Sequence, residues 1–223
     1  MRMMAVFEKS QRLRHVGHLD IMRSMQRALR RSGLPVSYSN GFNPHILLTF
    51  ASPLSVGAVG KRELMEVTLY EDVTPEQFLA DMNKALPPEM QLSAAKVLED
   101  KHPALMAMVK AARYDIEPED AEVADLWASR VQDYLAQDAI MTMRKTKSGM
   151  KEIDIRPLIH SLACENGHLH AVLALTETVT CKPDMLLSTL CDFAGCEVPR
   201  VALIREGLLG EDAEGQLVPL ESL

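Results

Sequence analysis

Acidic residues are scarce where this chain begins. Residues 1–62 contain only Glu8 and Asp20 against ten basic residues: Arg2, Lys9, Arg12, Arg14, Arg23, Arg27, Arg30, Arg31, Lys61 and Arg62. This local balance of +8 stands in a chain of 223 residues with net charge −7, so the remainder carries −15. Such segregation predicts a local positive field aimed at a defined anionic partner rather than general stickiness. Cysteine is absent before Cys164, and the four present, Cys164, Cys181, Cys191 and Cys196, make neither a CxxC pair nor the CxxxCxxC of a radical SAM cluster site. They read as reduced structural thiols, and no metal or cofactor is expected. No apolar run approaches the ~18 residues of a membrane span, and the opening MRMMAVFEKSQRLRH reaches charge too soon for a signal-peptide core. A cytoplasmic protein without membrane contact is expected.

What the chain does contain is ordinary globular material, 47% apolar and 25% charged residues, enough for two units of roughly 100 residues. Strand-like RMMAVFEK precedes a helix from His18 to Ser32, which the SGLP stretch around Gly33 and Pro35 stops. VSYS and HILLTFAS flank the next turn as strand material, ELMEVTLY alternates as a third strand, Thr74-Pro75 opens a helix through EQFLADMNKAL, and MQLSAAKVLE returns as a fourth strand. The order β-α-β-β-α-β is that of the split βαβ ferredoxin-like unit.

Strand ARYDIEP, helix DAEVADLWASRVQDYLAQ, strand AIMTMRKT, strand material in KEIDIRPLIHSLACEN continued by HLHAVLALTETV, helix PDMLLSTLCDFAG and strand VPRVALIREGLL form a similar succession, read as a repeat of the first. The fold expected is therefore α+β, two tandem ferredoxin-like halves over 1–100 and 101–210, with an acidic, partly mobile tail at 211–223.

On the first helix, at ~100° per residue, Ile21, Met22, Met25, Ala28 and Leu29 share one arc, while Arg23, Arg27, Arg30 and Arg31 fall opposite. A face that only needs to be soluble usually mixes lysine with glutamate in stabilising pairs; this one has four arginines and Asp20 as its counter-charge. Arginine offers a planar fork for phosphate and a flat face for bases. Alternatively, the arginines meet acidic residues of the second half. The stretch YSNGFNPH follows. Gly41 tolerates positive φ and Pro44 biases Asn43 toward extended chain, so NGFNP is explained as a turn. Turn chemistry does not require Tyr38, Phe42 and His45. Phe42 reads either as core or as a stacking face, and Tyr38, Asn43 and His45 as contacts to a flat group.

The stretch HLDIMRSMQRALRRSGLPVSYSNGFNPH, with PLSVG and Glu63, resembles the bacterial radical SAM-linked proteins, a domain of unknown function called DUF2344. The similarity is dense over residues 9–70. Gly17 stands where that family usually has serine, and Ile46 where it usually has proline. The resemblance implies association with a separate radical SAM enzyme and no established activity.

Candidate catalytic residues are His18, Asp20 and His45, histidine being the usual general acid/base. Asp20 also reads as a carboxylate favoured by the helix N-terminus. His18 and Asp20, two apart, point in different directions on a helix. His168 and His170 share one face of a strand but have no acid or cysteine beside them on that face in the sequence, so no metal site is expected there. RKTKSGMK, with Arg144, Lys145, Lys147 and Lys151 and no acid, reads as a solvated hairpin or a second backbone contact. The function expected is an accessory domain that binds structured RNA, tRNA or rRNA, through Arg23, Arg27, Arg30, Arg31, Tyr38, Phe42, Asn43, His45, Arg144, Lys145 and Lys147, working with a radical SAM protein. The alternatives are an RNA-processing or RNA-modifying enzyme using His18, Asp20 and His45, and a module docking an acidic protein.

Overall fold

The computed structural model describes residues 1–146, 149–176 and 178–223. The fold is mixed α+β, with five helices and eleven strands among the described residues. By contacts the chain divides into one unit of Met1–Val109 with Gly207–Leu223 and a second of Lys110–Glu206.

The first unit runs β1 (Arg2–Lys9), α1 (His18–Ser32), β2 (Leu48–Phe50), β3 (Ala58–Thr68), α2 (Pro75–Ala85), β4 (Leu92–Leu98) and the short α3 (Leu105–Met108). β1 lies between β3 and β4, antiparallel to both, and β2 pairs antiparallel with β3. A strand flanked on both edges and covered on both faces reads as a continuous apolar run, and Met3 through Phe7 are all buried. On one face Met3, Ala5 and Phe7 meet Ile21, Met25, Ala28 and Leu29 of α1 and Phe78 and Met82 of α2. Met22 packs at the margin of this core.

Local signals set the helix ends. α1 stops at Gly33, whose φ of 76° is left-handed, a conformation glycine enters without steric cost. Thr74 caps α2, its Oγ1 accepting from Gln77 N at 3.2 Å, with Pro75 in the first turn. VSYS is not a strand: only the isolated bridges Val36↔Leu69 and Tyr38↔Ile46 form there, because the chain from Gly33 to Ile46 turns too often to sustain a ladder.

The second unit holds β5 (Ala111–Pro118), α4 (Ala121–Leu135), β6 (Met141–Thr146), β7 (Gly149–Asp154), β8 (Ile159–Glu165), β9 (His168–Ala174), α5 (Pro183–Ala194) and the start of β10 (Val201–Glu211). Its strand order is β10-β5-β9-β8, with β9 antiparallel to both β5 and β8. β6 and β7 form a separate two-stranded hairpin. The strand material of KEIDIRPLIHSLACEN is the end of β7 and the whole of β8, separated by a 3-10 turn at Arg156–Leu158. Pro157 has no N–H for a ladder, and Asp154 Oδ1 accepts from Ile140 N and Arg156 N at 2.8 and 2.9 Å, fixing the bend.

Residues 211–223 fold back onto the first unit. Asp212 Oδ1 accepts from Glu214 N and Gln216 N, turning the chain so that β11 (Leu217–Pro219) pairs with the end of β10 in the first unit. Leu220 is buried, and Glu221 accepts from Arg62 Nε at 2.6 Å. The apolar residues Leu217, Val218 and Leu220 outweigh the acids that mark this stretch in the sequence.

Candidate functional site

Two features of the first unit concentrate chemistry. The first is the arginine face of α1. Arg23, Arg27, Arg30 and Arg31 are all exposed. Arg23 bonds Asp20 at 3.0 Å, with both side chains more than 60% exposed; such a surface pair contributes little and is readily exchanged. Arg27 donates to Ser24 Oγ at 3.1 Å, and Arg31 to the Ala85 carbonyl at 2.7 Å. Arg30 and Arg31 also stand in the last turn, where the helix dipole favours cations. Asp20, Ser24 and Ala85, the partners of Arg23, Arg27 and Arg31, all lie in the first unit.

The turn that follows is built by two residues. Ser39 N donates to the His45 carbonyl at 2.8 Å, Ser39 Oγ meets His45 Nδ1 at 2.8 Å, and His45 N donates to Ser39 Oγ at 3.1 Å. Between them Gly41 takes φ 120°, a left-handed value that a side chain resists. The closed turn projects Phe42 outward, fully exposed at 105% relative accessibility, with Tyr38 at 46%. Phe42 is therefore not core, which removes one of its two sequence readings. Asn43 and His45 are exposed beside it.

The second feature is a pocket of about 280 Å³, open mouth included, lined by Phe7, Lys9, Val16, His18, Ile21, Phe50, Ser52, Leu54 and Glu63. His18, at the first position of α1, packs edge-on against Phe50 with ring centroids 5.2 Å apart. Lys9 and Glu63 are buried at 2% and 3% exposure. Lys9 Nζ donates to the carbonyls of Arg14 at 3.0 Å and Ser55 at 3.5 Å, tying together the two loops that frame the pocket.

The β1–β3 register places Phe7 opposite Glu63 and Lys9 opposite Gly60. Glu63 lies over Gly60 so closely that a Cβ there would come within 2.6 Å of its Cγ and Oε1. Gly60→Ala must displace a buried carboxylate, and it is expected to cost about 1–3 kcal/mol, the usual penalty of overpacking. A melting midpoint equal to that of the parent would show that Glu63 can move aside freely.

These observations separate the candidate catalytic trio. His18 lines the pocket; Asp20 and His45 do not. Asp20 holds Arg23, and His45 closes the turn. Nor does Asp20 cap α1, whose N-cap is Gly17 without a side-chain bond.

With this geometry in place, a family model described as an uncharacterized protein conserved in bacteria, DUF2344, matches residues 2–188. The chain belongs to the DUF2344 family. The match extends well beyond the 9–70 stretch that carries the resemblance in the sequence and covers the arginine face, the turn and the pocket. No curated protein matches the chain.

In the second unit of the DUF2344 chain, Arg144 and Lys145 lie on β6, where Arg144 pairs across from Lys151 and Lys145 from Met150. Like charges directly opposite repel, while Glu152 and Asp154 on β7 offset much of the positive charge of the hairpin. Lys147 lies outside the described residues. The expectation that His168 and His170 lack a neighbouring acid is corrected. Asp115 on β5 stands opposite His170, and its Oδ1 meets His168 Nδ1 at 2.8 Å. Among the described residues no group of three or more His, Cys, Asp or Glu is arranged to hold a metal ion.

Reasoning from sequence missed Lys9 and Ser52. One signal for Lys9 was available: it continues the Met3, Ala5, Phe7 alternation onto the buried face, where an ionisable residue is out of place.

Proposed function

We propose that the chain is an RNA-binding module that works as an accessory to a separate radical SAM enzyme. Arg23, Arg27, Arg30 and Arg31 would hold phosphates, Tyr38, Phe42, Asn43 and His45 a base, and Arg144, Lys145 and Lys147 further backbone. The observation that carries RNA binding is Phe42, an aromatic ring wholly in solvent on a turn locked by the Ser39–His45 bonds. A side chain that contributes nothing to the core but is held in place is suited to stacking, where each base adds roughly 1–3 kcal/mol. The radical SAM partnership rests on the sequence resemblance alone.

The fold that accompanies this proposal is a tandem of ferredoxin-like units. What supports it is the shared succession of strands: β4-β1-β3-β2 in the first unit, and β10-β5-β9-β8 in the second with the β6–β7 hairpin inserted.

The test uses Arg23→Gln/Arg27→Gln and Phe42→Leu. Losing two phosphate contacts should weaken binding of all RNA sequences alike and flatten the salt slope by ~0.7 to 0.9 per contact. Phe42→Leu should weaken binding by roughly 1–3 kcal/mol and leave the slope nearly unchanged. If both variants melt like the parent and bind RNA as it does, RNA binding through this surface is wrong.

A second reading has its own observation. His18 opens onto an apolar-walled pocket beside buried Lys9 and Glu63, a placement suited to acid/base chemistry. Incubation with total cellular RNA separates the two: retention of unchanged RNA favours the binding module, and cleavage or modification that His18→Ala abolishes favours the enzyme. No retention favours a module for an acidic protein.

A further inference from the structure

The four cysteines are not equivalent. Cys164 Sγ donates to the Ala124 carbonyl at 3.6 Å, and Cys181 Sγ to Lys182 O at 4.0 Å. Cys191 and Cys196 have each other. α5 ends at Gly195, whose φ of 76° reverses the chain, and Cys196 N donates to the Cys191 carbonyl at 3.0 Å. This closing bond of a helix C-terminus holds the two residues side by side, the arrangement in which the side chains flanking such a cap commonly meet. Cys191 is completely buried, while Cys196 is partly open to solvent.

Trp127 of α4 lies against the pair. Its ring is fully buried, and its Nε1 has no hydrogen-bond partner. Burial pushes the Cys191 thiol up to about 11, and the Cys196 thiol and Asp192 add to the shift, against the Trp127 N–H. A buried cysteine held beside a partly exposed one is the arrangement of a resolving and an attacking cysteine.

We infer that Cys191 and Cys196 form an oxidative modification site, at which a hydroperoxide converts the two thiols to an intramolecular disulfide. Cys196 sulfur attacks the peroxide O–O bond. The bond breaks, sulfur gains the hydroxyl as sulfenic acid, and the peroxide is reduced by two electrons to water or an alcohol. Cys191 sulfur then attacks the Cys196 sulfur: the S–S bond forms, the S–OH bond breaks, and the departing hydroxide leaves as water with the Cys191 proton. The site is independent of RNA binding and lies wholly within the second unit.

The test treats the reduced full-length chain with hydrogen peroxide. Two of the four cysteines should become unreactive to alkylation, and the intact mass should fall by ~2 Da, the two hydrogens of a disulfide. Dithiothreitol should restore both. Peptide mapping should place the bond between Cys191 and Cys196, and the fluorescence of Trp127, the single tryptophan, should change in step. Cys191→Ser should lose the mass change and leave a sulfenic acid on Cys196 that dimedone traps. Cys164→Ser should behave as the parent. If mapping of the parent chain finds Cys196 oxidised to sulfinic acid with Cys191 still reduced, a bond to Cys164 or Cys181, a bond between two chains, or four unchanged thiols, the inference is overturned. The parent experiment stands even where a serine variant fails to fold.

Discussion

Phe78→Ala is expected to destabilise the first unit by about 3–5 kcal/mol, while Phe42→Ala leaves stability within about 0.5 kcal/mol. Phe78 sits on the inner face of α2, fully buried among Met3, Met25, Leu29 and Met82. Truncation removes the transfer free energy of a ring and leaves a cavity that two helices packed on a central strand cannot close. Phe42 is wholly exposed, so its ring has almost no burial to lose.

The contrast is read by urea unfolding followed by far-UV circular dichroism. Trp127 belongs to the second unit, and its fluorescence reports there. Comparable losses for both variants would mean that Phe42 packs against the protein after all, and stacking on a base would lose its support. No loss at Phe78 would contradict the core itself.

Lys9→Met is expected to lower stability by about 3 kcal/mol and to loosen the pocket. The methionine keeps the apolar stem, but the carbonyls of Arg14 and Ser55 lose a charged donor that is itself buried. Hydrogen bonds to charged groups are worth about 1.5–3 kcal/mol, and removing one ion from a buried polar cluster costs more than it would at the surface. Glu63, on the neighbouring strand, stays buried. Hydrogen exchange gives the local readout: protection should fall at residues 10–17 and 53–57, the two loops that Lys9 ties together, more than in α2. Uniform loss across the unit, or none, would show that Lys9 does not clamp these loops.

Both predictions depend on residues whose sequence signals differ sharply. Phe78 follows a capped helix start and falls on an apolar arc, and is legible as core. The arginine face was equally legible, since helical periodicity alone separates Arg23, Arg27, Arg30 and Arg31 from Ile21, Met25, Ala28 and Leu29. The pocket was only partly so. His18 stood out, but as a partner of Asp20 and His45, which the structure assigns to a surface ion pair and to the closure of a turn. Lys9 and Glu63 come together through the pairing of β1 with β3, and a slip of one residue in that register would turn either side chain to the opposite face. No spacing along the chain reveals such a register.

What the sequence by itself determined is what depends on near neighbours: the span of α1 from His18 to the left-handed Gly33, the start of α2 at Thr74-Pro75, the turn around Gly41, and the gathering of positive charge in the first 62 residues. Capping, periodicity and turn chemistry act over a few residues, and the residues concerned are adjacent in the chain. Only the tertiary structure decided that Phe42 is exposed, that Glu63 folds over Gly60, that Asp115 meets His168, that Trp127 lies against Cys191, and that residues 211–223 return to the first unit as β11. Those outcomes follow from strand register, helix packing and burial, which join residues far apart in sequence and are settled by the total free energy of the packed unit rather than by any segment of it.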